Sequence, residues 1–239
     1  MTLSVIIPVK NEEEIILNTL KQLEDSWLTN IDHEVLIIND NSTDETVNLI
    51  KNSKFNKINV VLKNNYKKGL GSAIITGIDN SSKKYISIYM ADMSDSLDDL
   101  NLYYKEIISE STIDAVFGSR FIRGSKVSNY PKFKLFLNRF ANNIIKIIFF
   151  SNYNDFTNAF KIYKKNVLLS FFPIVSENFN VFLELPLKTV SRNFTYKIIP
   201  ISWKNRTKGN SKFIIKELTS KYFFTFFYCL LEKILLKKK

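Results

Sequence analysis

Apolar runs alternate with charged stretches along the first half of the chain. Leu3-Ser-Val-Ile-Ile-Pro-Val9 is the near-continuous apolar run of a strand buried on both faces, and Lys10-Asn-Glu-Glu-Glu14 predicts a helix from residue 10 to about residue 25. Residues 34–38 repeat the strand pattern and end in Asn39-Asp-Asn-Ser-Thr-Asp-Glu-Thr46, where Ser42 and Glu45 have capping-box spacing for a second helix. Further strands are predicted near 58–62, along the run beginning at Lys84 and over 114–118, with helices over 71–81 and 97–109. This β-α-β-α grammar predicts an α/β fold with a mostly parallel sheet flanked by helices.

Beyond residue 119 the pattern changes. Lys132-Phe-Lys-Leu-Phe-Leu-Asn-Arg-Phe140 and Ile144-Ile-Lys-Ile-Ile-Phe-Phe150 interleave bases with large apolar residues, as an interfacial helix does. An apolar stretch over 167–175, interrupted by Pro173, is expected to pack beneath it, followed by a helix over 178–191 and a strand over 195–203. Residues 222–231 carry no charge, and the chain closes on Ile234-Leu-Leu-Lys-Lys-Lys239. This run is short of the roughly 20 apolar residues a spanning helix requires, so it reads as a helix lying in the headgroup region. The resulting division is one domain over 1–212, with halves 1–119 and 120–212, and an amphipathic basic tail over 213–239.

Charge sharpens that division. The formal net charge is +11, yet residues 1–119 hold 11 Lys and Arg against 18 Asp and Glu, whereas residues 120–239 hold 23 against 5. A basic second half suits an anionic membrane surface; no helix-turn-helix, zinc or RNA-binding signature accompanies it, so nucleic acid is not the expected partner. The single Cys229 excludes an intrachain disulfide, and the amino terminus lacks a signal-peptide pattern, which predicts a cytoplasmic protein peripherally attached to the membrane.

Candidate chemistry gathers at strand ends. The run Lys84-Tyr-Ile-Ser-Ile-Tyr-Met-Ala-Asp-Met-Ser-Asp95 delivers Asp92 and Asp95 to the edge where α/β sheets bind ligands, and paired carboxylates there can hold a divalent metal or simply begin the next helix. Asn39 and Asp40, ahead of the cap, can accept hydrogen bonds from a nucleobase or ribose. His33 falls on the far side of the second strand and reads as structural.

These residues resemble the inverting glycosyltransferases of family 2, whose nucleotide half begins with a strand, Pro and Asn-Glu, then a strand ending in Asp-Asp-Gly-Ser-Thr-Asp. Here those places read Pro8, Asn11-Glu12 and Asn39-Asp40-Asn41-Ser42-Thr43-Asp44. Within that family the chain looks most like the dolichyl- or polyprenyl-phosphate sugar synthases, through Lys68-Gly-Leu-Gly-Ser-Ala73, Met90-Ala-Asp-Met-Ser-Asp95, Phe117-Gly-Ser-Arg-Phe121, Asn154-Asp-Phe-Thr-Asn-Ala-Phe-Lys161 and Arg206-Thr-Lys-Gly-Asn-Ser-Lys212. The resemblance implies a GT-A-like nucleotide-diphospho-sugar transferase fold. It implies transfer of a hexose from a nucleotide diphosphate sugar to a polyprenyl phosphate, assisted by Mg²⁺ or Mn²⁺.

Carried over residue by residue, the resemblance assigns the metal to Asp92, aided by Ser94 and Asp95, and the donor to Pro8, Glu12, Asp40, Gly69, Gly71 and Ser211. Arg206 and Lys212 become phosphate clamps on a basic loop, and Arg120 becomes the group that handles the acceptor's phosphate. Arg123, Arg139, Asp155, Lys161 and Glu184 complete the acceptor side. Two positions depart from the family. Met90 stands where the Asp-x-Asp motif has its first carboxylate, and a thioether is a poor ligand for a hard cation; Lys161 stands where Arg is common. A glycan hydroxyl is the alternative acceptor, needing a base, with Asp155 and Glu184 as the candidates in an acid-poor region. A non-catalytic nucleotide-sugar-binding relative is a third reading, which Met90 suggests.

Overall fold

The structure is a computed structural model and describes residues 2–204 and 215–236. The elements run β1 (Thr2–Val9), α1 (Ile16–Glu24), β2 (Asp32–Asn39), α2 (Thr46–Asn52), β3 (Val60–Asn64), α3 (Leu70–Asn80), β4 (Tyr85–Ile88), α4 (Leu97–Ser109), β5 (Ala115–Ser119), β6 (Lys126–Ser128), α5 (Lys132–Ile148), β7 (Lys161–Lys164), α6 (Lys165–Ser170), α7 (Val181–Ser191), β8 (Tyr196–Pro200), β9 (Ser202–Lys204) and α8 (Ile215–Leu236). Seven strands form one sheet in the order β3-β2-β1-β4-β7-β5-β8, and β6 pairs with β9 in a small parallel ribbon. Only β7 runs antiparallel to its neighbours in the large sheet, inserted between β4 and β5.

Strand alternation sorts the core into two layers. Val5, Ile7, Val35 and Ile37 face a cluster with Ile16 and Leu20 of α1 and Leu100, Tyr103 and Ile107 of α4. Ile6, Leu36, Ile38 and Ile86 face the opposite cluster with Ala73, Ile74 and Ile78 of α3, Leu183 and Leu187 of α7, and Cys229 of α8. Both faces of the sheet are therefore covered, as its nearly unbroken apolar strands require.

Two predicted helix starts shift for a common reason. α1 begins at Ile16 rather than near residue 10, because the backbone N–H groups of 11–13 bond outward: Asn11 to Ser42 Oγ at 3.0 Å, Glu12 to Thr46 Oγ1 at 2.8 Å and Glu13 to Asp44 Oδ2 at 3.2 Å. The Ser42–Glu45 capping box does not form either. α2 starts at Thr46, whose N–H donates to Asp44 Oδ1 at 3.1 Å, while the Ser42 hydroxyl serves Asn11. The loops after β1 and β2 thus lace to each other. Asn41, at φ 58°, occupies the left-handed conformation, which Asn tolerates better than other side chains.

α8 packs against the rest of the chain. Thr225 and Cys229 are buried on α8, Tyr222 and Phe226 pack against the main core, and Arg192 of α7 pairs with Glu232. No described helix is long and apolar enough to cross a membrane.

Candidate active site

β1, β2, β3 and β4 are parallel and end along one edge of the sheet, with Val9 beside Asn39 and Asn39 beside Asn64. Growth of the sheet changes direction at β1, so the crevice beyond β1 and β4 is the switch point at which open α/β sheets bind ligands. Because β7 is reversed, its first residue Lys161 lies beside Ile88 of β4 and Phe117 of β5, which brings the 153–160 loop to that same edge.

On the β2 side, Asp40 is buried, and its Oδ1 accepts from Gly69 N at 2.9 Å and Asn65 Nδ2 at 2.8 Å, while Lys10 approaches Oδ2 at 3.6 Å. Asn65, which the sequence reading passed over, also reaches the Gly69 carbonyl at 3.1 Å. Its signal was its position directly after the third strand. Gly69, at φ 122°, and Gly71 sit where another segment crosses: a methyl on Gly71 would come within 2.8 Å of the Glu177 carbonyl carbon and 2.9 Å of Asn178 N. Gly71 N donates to Glu177 O at 3.0 Å. These glycines serve close packing, and the N–H groups of both are committed within the protein. Pro8 is buried within β1, and Glu12 is partly buried in the laced loop.

On the β4 side, Thr19 of α1 anchors the strand's exit by donating to Ala91 O at 2.6 Å. Asp92 is partly buried and accepts from Ser94 N at 3.1 Å; Met93 between them is left-handed, at φ 55°. Asp95 is buried, and its Oδ2 has no hydrogen-bond partner among the described residues. Burial, then the neighbouring Asp92 and Asp99 carboxylates, push the Asp95 carboxyl up to about 8, against the pull of Arg120 and Lys161. Met90 is partly buried and packs against the core. A cleft of about 550 Å³ runs past Asp95 between this loop and the β6/β9 ribbon. No group of three or more His, Cys, Asp or Glu able to hold a metal occurs among the described residues. Asp92 and Asp95 nonetheless fit a divalent cation that takes its remaining ligands from a diphosphate and water, since an orphaned buried carboxylate oxygen beside a second carboxylate is a charge cluster that a cation relieves.

On the β5 side, Arg120 is held by Asp155 through three bonds: backbone N to Oδ2 at 2.9 Å, Nε to Oδ2 at 2.8 Å and Nη2 to Oδ1 at 2.6 Å. The Asp155 side chain is fully buried and that of Arg120 is 7% exposed. The guanidinium is flanked by the rings of Phe121, Tyr130 and Trp203, 5.2, 5.8 and 5.6 Å away. Tyr130 and Trp203 were not read from the sequence. Arg123 is exposed, and Arg139 of α5 lies over the Phe121 ring at 5.6 Å.

Three acceptor-side candidates make buried bonds within the protein. Lys161 is buried, with Nζ donating to the carbonyls of Phe156 and Asn158, so it grips the loop that carries Asp155. Burial lowers its amine to about 7. Glu184 is buried, accepting from Val175 N at 3.0 Å and Ser176 N at 2.8 Å and pairing with Lys188 at 2.8 Å. Asp155 is committed to Arg120. Neither acid stands free to take a proton from a hydroxyl. Arg206, Ser211 and Lys212 lie outside the described residues, and His33 lies at the far end of β2 with Nδ1 2.9 Å from Ile31 O.

The family profile described as glycosyl transferase family 2 matches residues 4–172, well over half the chain. The chain belongs to that family. Among curated relatives, the family 2 chain is 25% identical over 216 residues to a dolichol-phosphate mannosyltransferase of Pyrococcus furiosus, an alignment covering 89% of this chain and 59% of that protein. It is 24% identical over 186 residues to a polyprenol monophosphomannose synthase of Mycolicibacterium smegmatis, covering 74% of this chain and 69% of that one. Among solved structures, glucosyl-3-phosphoglycerate synthase from Mycobacterium tuberculosis in complex with Mn²⁺, uridine diphosphate and phosphoglyceric acid superposes with a TM-score of 0.68 at 14% identity, covering 96% of this chain and 78% of that one. The same enzyme with phosphoglyceric acid gives 0.69, covering 96% and 80%. The fold is therefore GT-A, as expected.

Proposed function

We propose that this family 2 chain is an inverting glycosyltransferase that moves a hexose from a nucleotide diphosphate sugar to a polyprenyl or dolichyl phosphate at the cytoplasmic face of a membrane. The observation that carries the reading is the state of the two acids available as bases on the acceptor side: Asp155 and Glu184 are both locked in buried ion pairs. A phosphate monoester is already ionised near neutral pH and needs no base, so positioning and charge neutralisation suffice. The names of both curated relatives point to the same acceptor class.

Asp40 and the laced loops after β1 and β2 hold the nucleoside end of the donor. Arg120 receives the acceptor's phosphate: Asp155 engages its Nε and Nη2, which fixes the guanidinium plane while Nη1 makes no bond to that carboxylate. Asp92 and Asp95 would hold the divalent cation, which when bound neutralises the leaving diphosphate. Arg206 and Lys212 are proposed to bind the same diphosphate.

Membrane attachment is supported by the exposed apolar face of α5, carrying Phe133, Phe136, Phe140 and Ile147 beside Lys132, Lys134 and Arg139, and by Phe223, Phe227 and Leu231 on α8. The two helices meet where Phe149 and Phe226 pack edge to face at 5.5 Å, and Lys233 donates to Phe149 O. Such a face is larger than isolated surface apolar residues account for, and its lysines complement anionic headgroups.

The deciding experiment incubates the purified chain with Mn²⁺, a panel of nucleotide sugars and a short polyprenyl phosphate, identifying products by mass spectrometry and the anomeric configuration by NMR. A glycosyl polyprenyl phosphate of inverted configuration is expected. Transfer to glycan hydroxyls alone, or retention of configuration, would overturn the proposal.

A further inference from the structure

Lys188 and Glu184 lie one turn apart on α7, both side chains fully buried, with Nζ 2.8 Å from Oε1. Such a pair is expensive to desolvate, and apolar residues of like volume would hold a helix at least as well. Among the described residues its remaining hydrogen bonds go to one segment, while the Lys188 ammonium also lies 5.3 Å from the Tyr228 ring. Lys188 Nζ donates to Phe171 O at 2.7 Å and to Pro173 O, and Glu184 accepts from Val175 N and Ser176 N. Residues 171–178 thus form a strap whose backbone is gripped at four points by one ion pair.

The strap's other side meets the donor edge. Glu177 O accepts from Gly71 N, which fills the amino-terminal end of α3, where no side-chain cap is present. Gly69 and Gly71 lack the Cβ atoms that would collide with the strap, and Gly69 N in turn donates to Asp40 Oδ1. An unbroken series of bonds runs from the Glu184–Lys188 pair through the strap and the Gly69–Gly71 turn to Asp40.

We infer that Glu184 and Lys188 are positioning residues for the nucleotide site, setting the orientation of Asp40 through the strap. The inference rests on the proposed donor role of Asp40. It assigns Glu184 to the donor rather than to the acceptor.

The test measures the dissociation constants of UDP and GDP alone, by calorimetry with Mn²⁺, for the full chain and for Glu184→Gln and Glu184→Gln/Lys188→Met, together with Tm and the KM for a polyprenyl phosphate. Glu184→Gln should weaken the tighter nucleotide by about 2- to 30-fold, the range for coupling carried through a packed network, with acceptor KM unchanged. The double variant removes both charges, so its Tm should recover while nucleotide affinity stays weak. Recovery of affinity along with Tm, or unchanged affinity in both variants, would reduce the pair to packing and overturn the inference. Absence of nucleoside diphosphate binding by the unmodified chain would overturn the donor reading itself, and this inference with it.

Discussion

Replacing Asp155 by Asn tests the heart of the acceptor side. The substitution keeps shape but removes the charge that meets Arg120 through bonds of 2.6, 2.8 and 2.9 Å, and the arginine side chain, 7% exposed, cannot turn to water for compensation. Stranding one member of a buried ion pair costs about 3 to 5 kcal/mol, against a total stability of roughly 5 to 15 kcal/mol for a domain. Urea unfolding followed by tryptophan fluorescence measures the loss directly, because Trp203 lies 5.6 Å from the Arg120 guanidinium. The neutral pair Arg120→Met/Asp155→Leu should regain most of that stability, yet transfer to polyprenyl phosphate should remain lost, since the guanidinium proposed to bind the phosphate is gone. A cost under about 1 kcal/mol for Asp155→Asn would place the pair in the regime of solvated surface bridges and refute the argument from burial. Full activity in the neutral pair would remove Arg120 from the mechanism.

Asp92→Asn should abolish transfer with Tm nearly unchanged, because the carboxylate is only partly buried; near wild-type turnover would put the cation elsewhere. Gly71→Ala should lower stability by about 1 to 3 kcal/mol through overpacking against the strap, read as a shift in thermal midpoint. Lys161 titrates near 7 when folded and near 10.5 when unfolded, so the unfolded chain binds the extra proton between those values and stability should rise with pH across that window; in Lys161→Met this rise should flatten in urea midpoints. Phe133→Glu/Phe136→Glu/Phe140→Glu should strongly reduce co-sedimentation with anionic vesicles while leaving Tm within a few degrees, as these side chains are 75, 65 and 58% exposed; unchanged sedimentation would take α5 out of the membrane interface.

The elements most legible in the sequence were those whose signals are local. α4 begins and ends where the pattern predicted, with Ser96 accepting from Asp98 N at its start and an apolar stripe through Leu100, Tyr103 and Ile107. The capping box at Ser42 and Glu45 has equally good local spacing and failed, because a loop 31 residues earlier claims the serine hydroxyl. The site divided in the same manner. Asp40 and Asp92 to Asp95 stand where strands end, which sequence order reveals. The partnership of Arg120 with Asp155 spans 35 residues and depends on a reversed strand that spacing does not disclose. Glu184 stands out as a rare acid in a basic region, and Lys188 one turn on is legible as its partner, but its other two partners are backbone N–H groups, which leave no trace in side-chain identity.

The reversed strand β7 has a consequence for how the protein is made. Its residues Lys161–Lys164 fill the space between β4 and β5, so until the ribosome has extruded the chain beyond that point β4 has a hydrogen-bonding neighbour only on its β1 side. The nascent nucleotide half would present an open, apolar strand edge of the kind that recruits other chains. A fragment ending at residue 119 should therefore be a target for chaperones, and gene fusions that exchange one half of the domain for another should need to carry β7 with the half it completes.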